Sequence, residues 1–342
     1  MDMIGRPSDR QVSYVGATGF IGFKVLLDAL ESGYNVRVAV RSSTGSEALL
    51  SNPKIRSLVS GNNISFVAVP DITQEGAYDE ALKGVVYAIH VASPVPKPFF
   101  KDPQADIIQP TIKGAASLLA SALKVPSLKR IVITSSIVAN MNFPPVPTAD
   151  ETTAESRVPN YEGPIDAVFP AYCDSKIATL NATDKFVKEQ NPSFDVINIF
   201  PGFVHGRNEL ATDVARLRAG SAGLLLAIIL GQIFEVPRIA VTAHVDDVAK
   251  VYLLALSESV QGGQGFGISV PAVFDDAFDF VKKASPKAVD NGVFKKGSQP
   301  GVDIAWNASK TESAFGFKFQ SYKTQVLDVA GQYLEFLGEE KA

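Results

Sequence analysis

One cysteine, Cys173, and three histidines, His90, His205 and His244, are all that 342 residues hold of these types. A lone thiol cannot close an internal disulfide, and neither a CxxC nor an HExxH spacing occurs, so a structural zinc site is excluded and no metal is expected. Charge is scarce as well. Only 20% of residues are charged and the net charge is -4, which leaves no electrostatic footprint for nucleic acid or an anionic membrane surface. Long apolar runs are missing too: the most apolar stretch, LLLAIIL from Leu224 to Leu230, lies between Gly223 and Gly231 and is far shorter than the ~20 residues of a membrane span. A helix lining a pocket or a subunit interface is expected there. The N-terminal MDMIGRPSDR has no apolar core of the kind a signal peptide carries, so a cytoplasmic protein is expected. With no repeats and no low-complexity tract either, small-molecule chemistry is the function class left standing.

What the chain does have is a 46% hydrophobic content, enough for one large core or two modest ones. Six strand-like apolar runs, QVSYV (11–15), NVRVAV (35–40), ISFVAV (64–69), VVYAIHV (85–91), RIVIT (130–134) and FDVINIF (194–200), alternate with segments of helical length at 20–32, 103–124 and 172–190. That alternation predicts βαβ units, hence an α/β architecture: a Rossmann-like, doubly wound parallel sheet with a smaller, discontinuous mixed α/β substrate-binding region. The dinucleotide-binding domain is expected over 1–202 plus 241–260, and the smaller region over 203–240 plus 261–342. HVDDVAKVYLLAL (244–256) reads as an Asp-capped helix, and a last helix is expected over 322–337. Three long connections break the alternation, at 93–103, 142–170 and about 203–240. In an open parallel sheet the strand carboxyl ends face the ligand crevice, so all three are expected to converge on one cleft. Phe99, Phe100, Met141, Phe143, Phe169 and Phe203, in or beside them, predict an apolar and aromatic lining for a hydrophobic substrate. His205 is expected to be a satisfied surface histidine rather than a substrate contact.

Gly16-Ala17-Thr18-Gly19-Phe20-Ile21-Gly22 follows the first strand and opens a helix, in GxxGxxG spacing. Gly16 permits a tight turn, Gly19 lets backbone approach a pyrophosphate, and Gly22 allows close packing of helix on strand. The amides of the loop and first turn, including those of Thr18, Phe20 and Ile21, then meet the phosphate charge. An NAD site usually carries an acidic residue about 20 residues on, to hold the ribose 2′-hydroxyl. Arg41 stands there instead, in NVRVAVRSS. A guanidinium suits a 2′-phosphate through forked, charge-assisted hydrogen bonds, so NADP(H) is the expected cofactor, the alternative being a solvated loop charge. Asp71, in VAVPDIT, either sits near the adenine edge or initiates a turn.

AYCDSK (171–176) holds the only cysteine between Tyr172 and Lys176. Residues four apart share a helix face, whereas Cys173 points about 100° away from its neighbour and lacks a paired histidine, so it reads as packing rather than as a nucleophile. GATGFIG (16–22), TSS (134–136), YCDSK (172–176) and HVDDVA (244–249), together with AYDEALKGVVYAIHVASPV and FGFKF, resemble an extended short-chain dehydrogenase/reductase over nearly the whole chain. The finer match is similar to fungal aldehyde and ketone reductases and to plant dihydroflavonol and cinnamoyl-CoA reductases. That resemblance implies Ser136, rather than Ser135, as the group on the substrate carbonyl, Tyr172 as the proton donor, and Lys176 as the residue that both tunes Tyr172 and holds the nicotinamide ribose. An ammonium and a nicotinamide cation are expected to bring the Tyr172 phenol down from near 10 toward the operating range. The resemblance further implies Ala92, Thr134 and Pro201 as cofactor contacts. Val15 departs from it, standing where the family more often has threonine.

The expected reaction is NADPH-dependent reduction of an aldehyde or ketone on a hydrophobic small molecule. The alternatives are a same-fold epimerase, dehydratase or hydroxysteroid-type dehydrogenase, and a non-catalytic NADP-sensing regulator, a class that tends to lose the tyrosine and lysine kept here. The substrate is the only partner expected, with neither nucleic acid nor membrane, and the chain is expected as a monomer or homodimer.

Overall fold

The computed structural model describes residues 11–94, 100–142 and 151–339. Its strands are β1 (Gln11–Val15), β2 (Asn35–Val40), β3 (Ile64–Ala68), β4 (Tyr87–His90), β5 (Arg130–Thr134), β6 (Asp195–Pro201), β7 (Phe203–His205), β8 (Arg238–Ile239), β9 (Val241–His244), β10 (Gly265–Ile268), β11 (Val270–Pro271) and β12 (Gly301–Val302). Seven of them form one sheet in the order β10-β6-β5-β4-β1-β2-β3. The first six strands pair in parallel, so every connection is a crossover, and helices Phe20–Glu31, Gln109–Ala122 and Val168–Gln190 lie in three of them. The strand order reverses between β1 and β4, the position at which doubly wound sheets open a crevice for a dinucleotide. Register brings Val15 opposite His90, His90 opposite Ile133, and Thr134 opposite Ile199. The carboxyl ends of β1, β4 and β5 therefore stand side by side.

The central strands are buried on both faces, with Tyr14, Ile89, Val132 and Ile197 nearly inaccessible, which is why they read as continuous apolar runs, whereas the edge strand β3 has no fully buried residue. Pro110, near the start of the helix Gln109–Ala122, has no amide hydrogen to donate, and the chain enters this helix through a π-helical turn, Gln104–Ile108. Ile107 and Ile108 in that turn form an apolar cluster with Ala171, against which Phe100, Val168 and Tyr172 pack. No helix among the described residues is long and apolar enough to cross a membrane.

The chain divides into two compact units. Among described residues, the first takes 11–142, Ala154–Phe200 and Ala249–Phe266, and the second takes 151–153, Pro201–Val248 and Gly267 onward. The expected division differs at four places: 151–153 and 201–202 fall in the second unit, and two further stretches move with their strands. β9 pairs with β7 and β11 in a separate three-stranded sheet, so 241–248 belong to the second unit, whereas β10 extends the large sheet beyond β6 and takes 261–266 into the first. LLLAIIL falls in the helix Ala222–Ile229 and its C-cap Leu230: Leu225, Leu226, Ile228 and Ile229 are fully buried in the second unit's core with Phe274, Val281, Val326 and Val329, while Leu224, Ala227 and Leu230 are half-buried. The helix Val245–Ala255 is capped by histidine, not aspartate. Asp246 N–H donates to His244 Nδ1 at 3.1 Å, while Nε2 of the same ring donates to Asp328 Oδ2 at 3.0 Å.

Candidate active site

Two of the three loop glycines are required by the protein's own packing. Gly16 has φ +105°, and a Cβ on it would lie 2.7 Å from Ala92 N, where the loop crosses the end of β4. A Cβ on Gly22 would lie 2.0 Å from Gly16 O, so its role is to admit the loop's carbonyl into the first helical turn rather than to seat the helix on the strand. Tyr14 Oη donates to Gly22 O at 2.8 Å and ties that turn to β1. Gly19 differs from both. It is the exposed N-cap of the helix Phe20–Glu31, with no side-chain cap, and the nearest atom to an added Cβ is Gly16 O at 3.5 Å, an ordinary contact. Nothing within the protein demands glycine there. An open N-cap before amides that have no intrahelical partner fits a pyrophosphate, and exposed Thr18 with half-buried Phe20 and Ile21 completes the cradle.

Arg41 directly follows β2, is exposed, and makes no hydrogen bond or ion pair among the described residues. Asp71 is engaged in a turn. Its Oδ1 accepts from Thr73 N at 2.8 Å and Thr73 Oγ1 at 2.7 Å, and its Oδ2 accepts from Gln74 Nε2 at 2.9 Å. These bonds, with a smaller contribution from the Arg41 charge, hold the carboxyl below its usual range, and turn initiation is the reading of Asp71 that they support. Ala92 is half-buried at the loop's edge, its N–H donating to Val15 O at 3.3 Å. Pro201 is buried at the end of β6 and Val15 within β1.

On the helix Val168–Gln190, Tyr172 is half-buried and Lys176 is 4% exposed. The Ser136 side chain acts on the Tyr172 phenol, and its Oγ accepts from Val138 N at 3.4 Å and caps the 3-10 turn Ile137–Asn140. Ser135, also buried, donates its backbone N–H to Ile199 O at 2.8 Å. Lys176 Nζ lies 5.8 Å from the Tyr172 ring centroid and donates to Thr134 O at 3.3 Å. The protein's own groups do not lower the Tyr172 phenol as expected; burial raises it, the Ser136 side chain pulls it partly back, and Cys173 adds to the rise. Desolvation wins because the ammonium is committed to a carbonyl rather than to the phenol.

Burial pulls Lys176 down to about 8 from an ordinary 10.5. Between these values the unfolded chain holds a proton that the folded chain has released, so stability linked to this residue rises with pH across that window and is lowest below about 8. Lys176→Met is therefore expected to gain a few degrees in melting temperature relative to wild type at pH 7, with the difference shrinking toward pH 10. Thermal denaturation across that range checks it, and a pH-independent difference would show that no charge is being desolvated here.

Cys173 is 2% exposed, and burial and then Asp174 push its thiol up to about 12, which suits packing and not nucleophilic attack. Of the expected substrate-lining residues, Phe169 is 47% exposed and stacks on Tyr172, ring centroids 6.4 Å apart at 28°, and Phe203 is also exposed. Met141 is 4% exposed and caps the C-terminal end of the 3-10 turn Ile137–Asn140. Phe99 and Phe143 lie outside the described residues. His205 is not on the surface. It is fully buried against Phe203, ring centroids 4.6 Å apart, and burial drives it down to about 3, so it stays neutral.

Two residues beside the site escaped the sequence reasoning. His90 ends β4 and is held near 4 by burial and the Lys176 charge, and Tyr252 is buried with its hydroxyl bonded to Thr134 Oγ1. The available signal was a side chain with a polar group inside an apolar run, His90 in VVYAIHV and Tyr252 in VYLLAL.

Comparison with known proteins bears on the family and the fold. Residues 14–269 match the model of the NAD dependent epimerase/dehydratase family. The chain is 36% identical over 344 residues to the ketoreductase CTB6 of Cercospora beticola, covering 96% of each, and 36% identical over 341 residues to the NAD-dependent epimerase/dehydratase ALT6 of Alternaria alternata, covering 93% of this chain and 96% of that one. Among solved structures it superposes on yeast methylglyoxal/isovaleraldehyde reductase Gre2 complexed with NADPH at TM-score 0.80, with 24% identity over 96% of this chain and all of the other. Vestitone reductase from alfalfa gives TM-score 0.70 with 21% identity, covering 96% of this chain and 99% of that one. These two structural likenesses speak to the fold.

Proposed function

The chain belongs to the NAD dependent epimerase/dehydratase family, and from that premise we propose that it reduces an aldehyde or ketone carbonyl on a hydrophobic small molecule with NADPH. The observation that carries this reading is Tyr172, with Ser136 acting on its phenol and the buried Lys176 Nζ 5.8 Å from its ring one helical turn on, in the unit that also holds the open glycine cradle. Gly16, Gly19 and Gly22 with the first-turn amides hold the pyrophosphate, Arg41 the 2′-phosphate, and Lys176 the ribose. The dinucleotide, when bound, supplies the hydride. Ser136 orients the substrate oxygen and stabilises the charge that develops there, while Tyr172 Oη delivers the proton. A phenol kept protonated by burial is in the state a reduction needs. The flat, exposed face of Phe169 on the Tyr172 ring favours an aryl or otherwise apolar carbonyl compound over a sugar nucleotide. The named ketoreductase CTB6 supports the same reaction class.

Arg41 tests the cofactor. Arg41→Ala is expected to raise the NADPH dissociation constant about 10- to 100-fold, the range of hydrogen bonds to a charged group, while changing NADH affinity less than about threefold. Fluorescence titration with both nucleotides measures this. Equal losses for the two would remove Arg41 from 2′-phosphate recognition.

A further inference from the structure

Thr134 closes β5 one residue beyond its last pairing with β4, His90 opposite Ile133. On that side its peptide is held by its side chain: Thr134 Oγ1 donates to His90 O at 3.0 Å. A threonine hydroxyl has one hydrogen, and a carbonyl can only accept, so in the second bond of this oxygen, to Tyr252 Oη, the phenol is the donor. Thr134 is thus anchored through one oxygen to both a strand end and the helix Val245–Ala255, and its own carbonyl receives Lys176 Nζ at 3.3 Å.

We propose that Tyr252 is a positioning residue for Lys176, acting through Thr134: its hydroxyl locks the Thr134 side chain, and with it the peptide carbonyl on which the ammonium rests. This rests on the function proposed above, in which Lys176 holds the ribose beside Tyr172. Tyr252 is fully buried and burial drives its phenol far above the ordinary range, so it remains a donor at every working pH.

Tyr252→Phe keeps the ring and removes only the donor. It is expected to weaken NADPH binding, measured by fluorescence titration without substrate, about 3- to 10-fold, and to lower kcat by a similar factor while the carbonyl KM stays within about twofold, the range a neutral hydrogen bond supports. Thr134→Val, which removes the intermediary oxygen, is expected to show the same split, and adding Tyr252→Phe to it should cost nothing further. Wild-type NADPH affinity in Tyr252→Phe, or additive losses in the double variant, would overturn the proposal. If Tyr252→Phe does not fold, Thr134→Val decides alone: unchanged NADPH affinity and kcat would overturn it. The nucleotide titration is independent of turnover. A wild-type protein that bound NADPH without reducing any carbonyl would sink the proposed function, and these affinities would still decide the role of Tyr252.

Discussion

Tyr172→Phe is expected to lower kcat for NADPH-dependent carbonyl reduction about 100- to 10,000-fold, the span of a lost general acid, with NADPH affinity unchanged within about twofold. The ring stays seated on Ile107, Ile108 and Ala171, and Phe169 keeps its stacking partner, so the variant should fold normally. Only the phenol hydroxyl, on which Ser136 acts, is lost. Neither helix neighbour is a ready substitute: the thiol of Cys173 is buried and pushed up to about 12, and Lys176 donates to Thr134 O. Steady-state kinetics with nucleotide titration checks the prediction, and activity surviving within a few-fold would show that the proton comes from elsewhere.

The second large effect separates two glycines three residues apart. Gly22→Ala would put a methyl 2.0 Å from Gly16 O, backbone that can yield only by deforming the loop, so this variant is expected to lose both melting temperature and at least about 10-fold in NADPH affinity. Gly19→Ala meets nothing closer than 3.5 Å. It is expected to melt within about 3 °C of wild type, since a helix cap costs of order 1 kcal/mol or less, yet to lose a comparable share of nucleotide affinity because its methyl occupies the approach of the pyrophosphate. Differential scanning fluorimetry with and without NADPH reads both quantities. A Gly19→Ala protein that binds NADPH normally would contradict the cradle assigned to this loop.

Much of the large sheet is legible in the sequence because its central strands are buried on both faces and read as unbroken apolar runs; QVSYV and RIVIT match β1 and β5 residue for residue. The last helix, Tyr322–Leu337, is equally plain. β10 is not, since GFGI is half glycine, and its place in the large sheet depends on β6 rather than on its own pattern. The same limit explains His244, which occupies the cap position expected of an aspartate, and His205, whose single-residue signal says nothing about the strand that buries it. At the candidate site, spacing alone puts Tyr172 and Lys176 on one helix face. That Lys176 rests on Thr134 O, that Tyr252 stands behind Thr134, and that the phenol is raised rather than lowered are consequences of partners 42 to 118 residues apart and of desolvation, which no local pattern encodes.

The most direct measurement is NADPH oxidation followed at 340 nm with a panel of aromatic aldehydes and β-ketoesters, the alcohol product quantified in the same samples. The account predicts turnover of at least one apolar carbonyl compound, one alcohol formed for each NADPH consumed, and a preference for NADPH over NADH. Tight NADPH binding with no oxidation across the panel would contradict it and leave a nucleotide-sensing protein in its place.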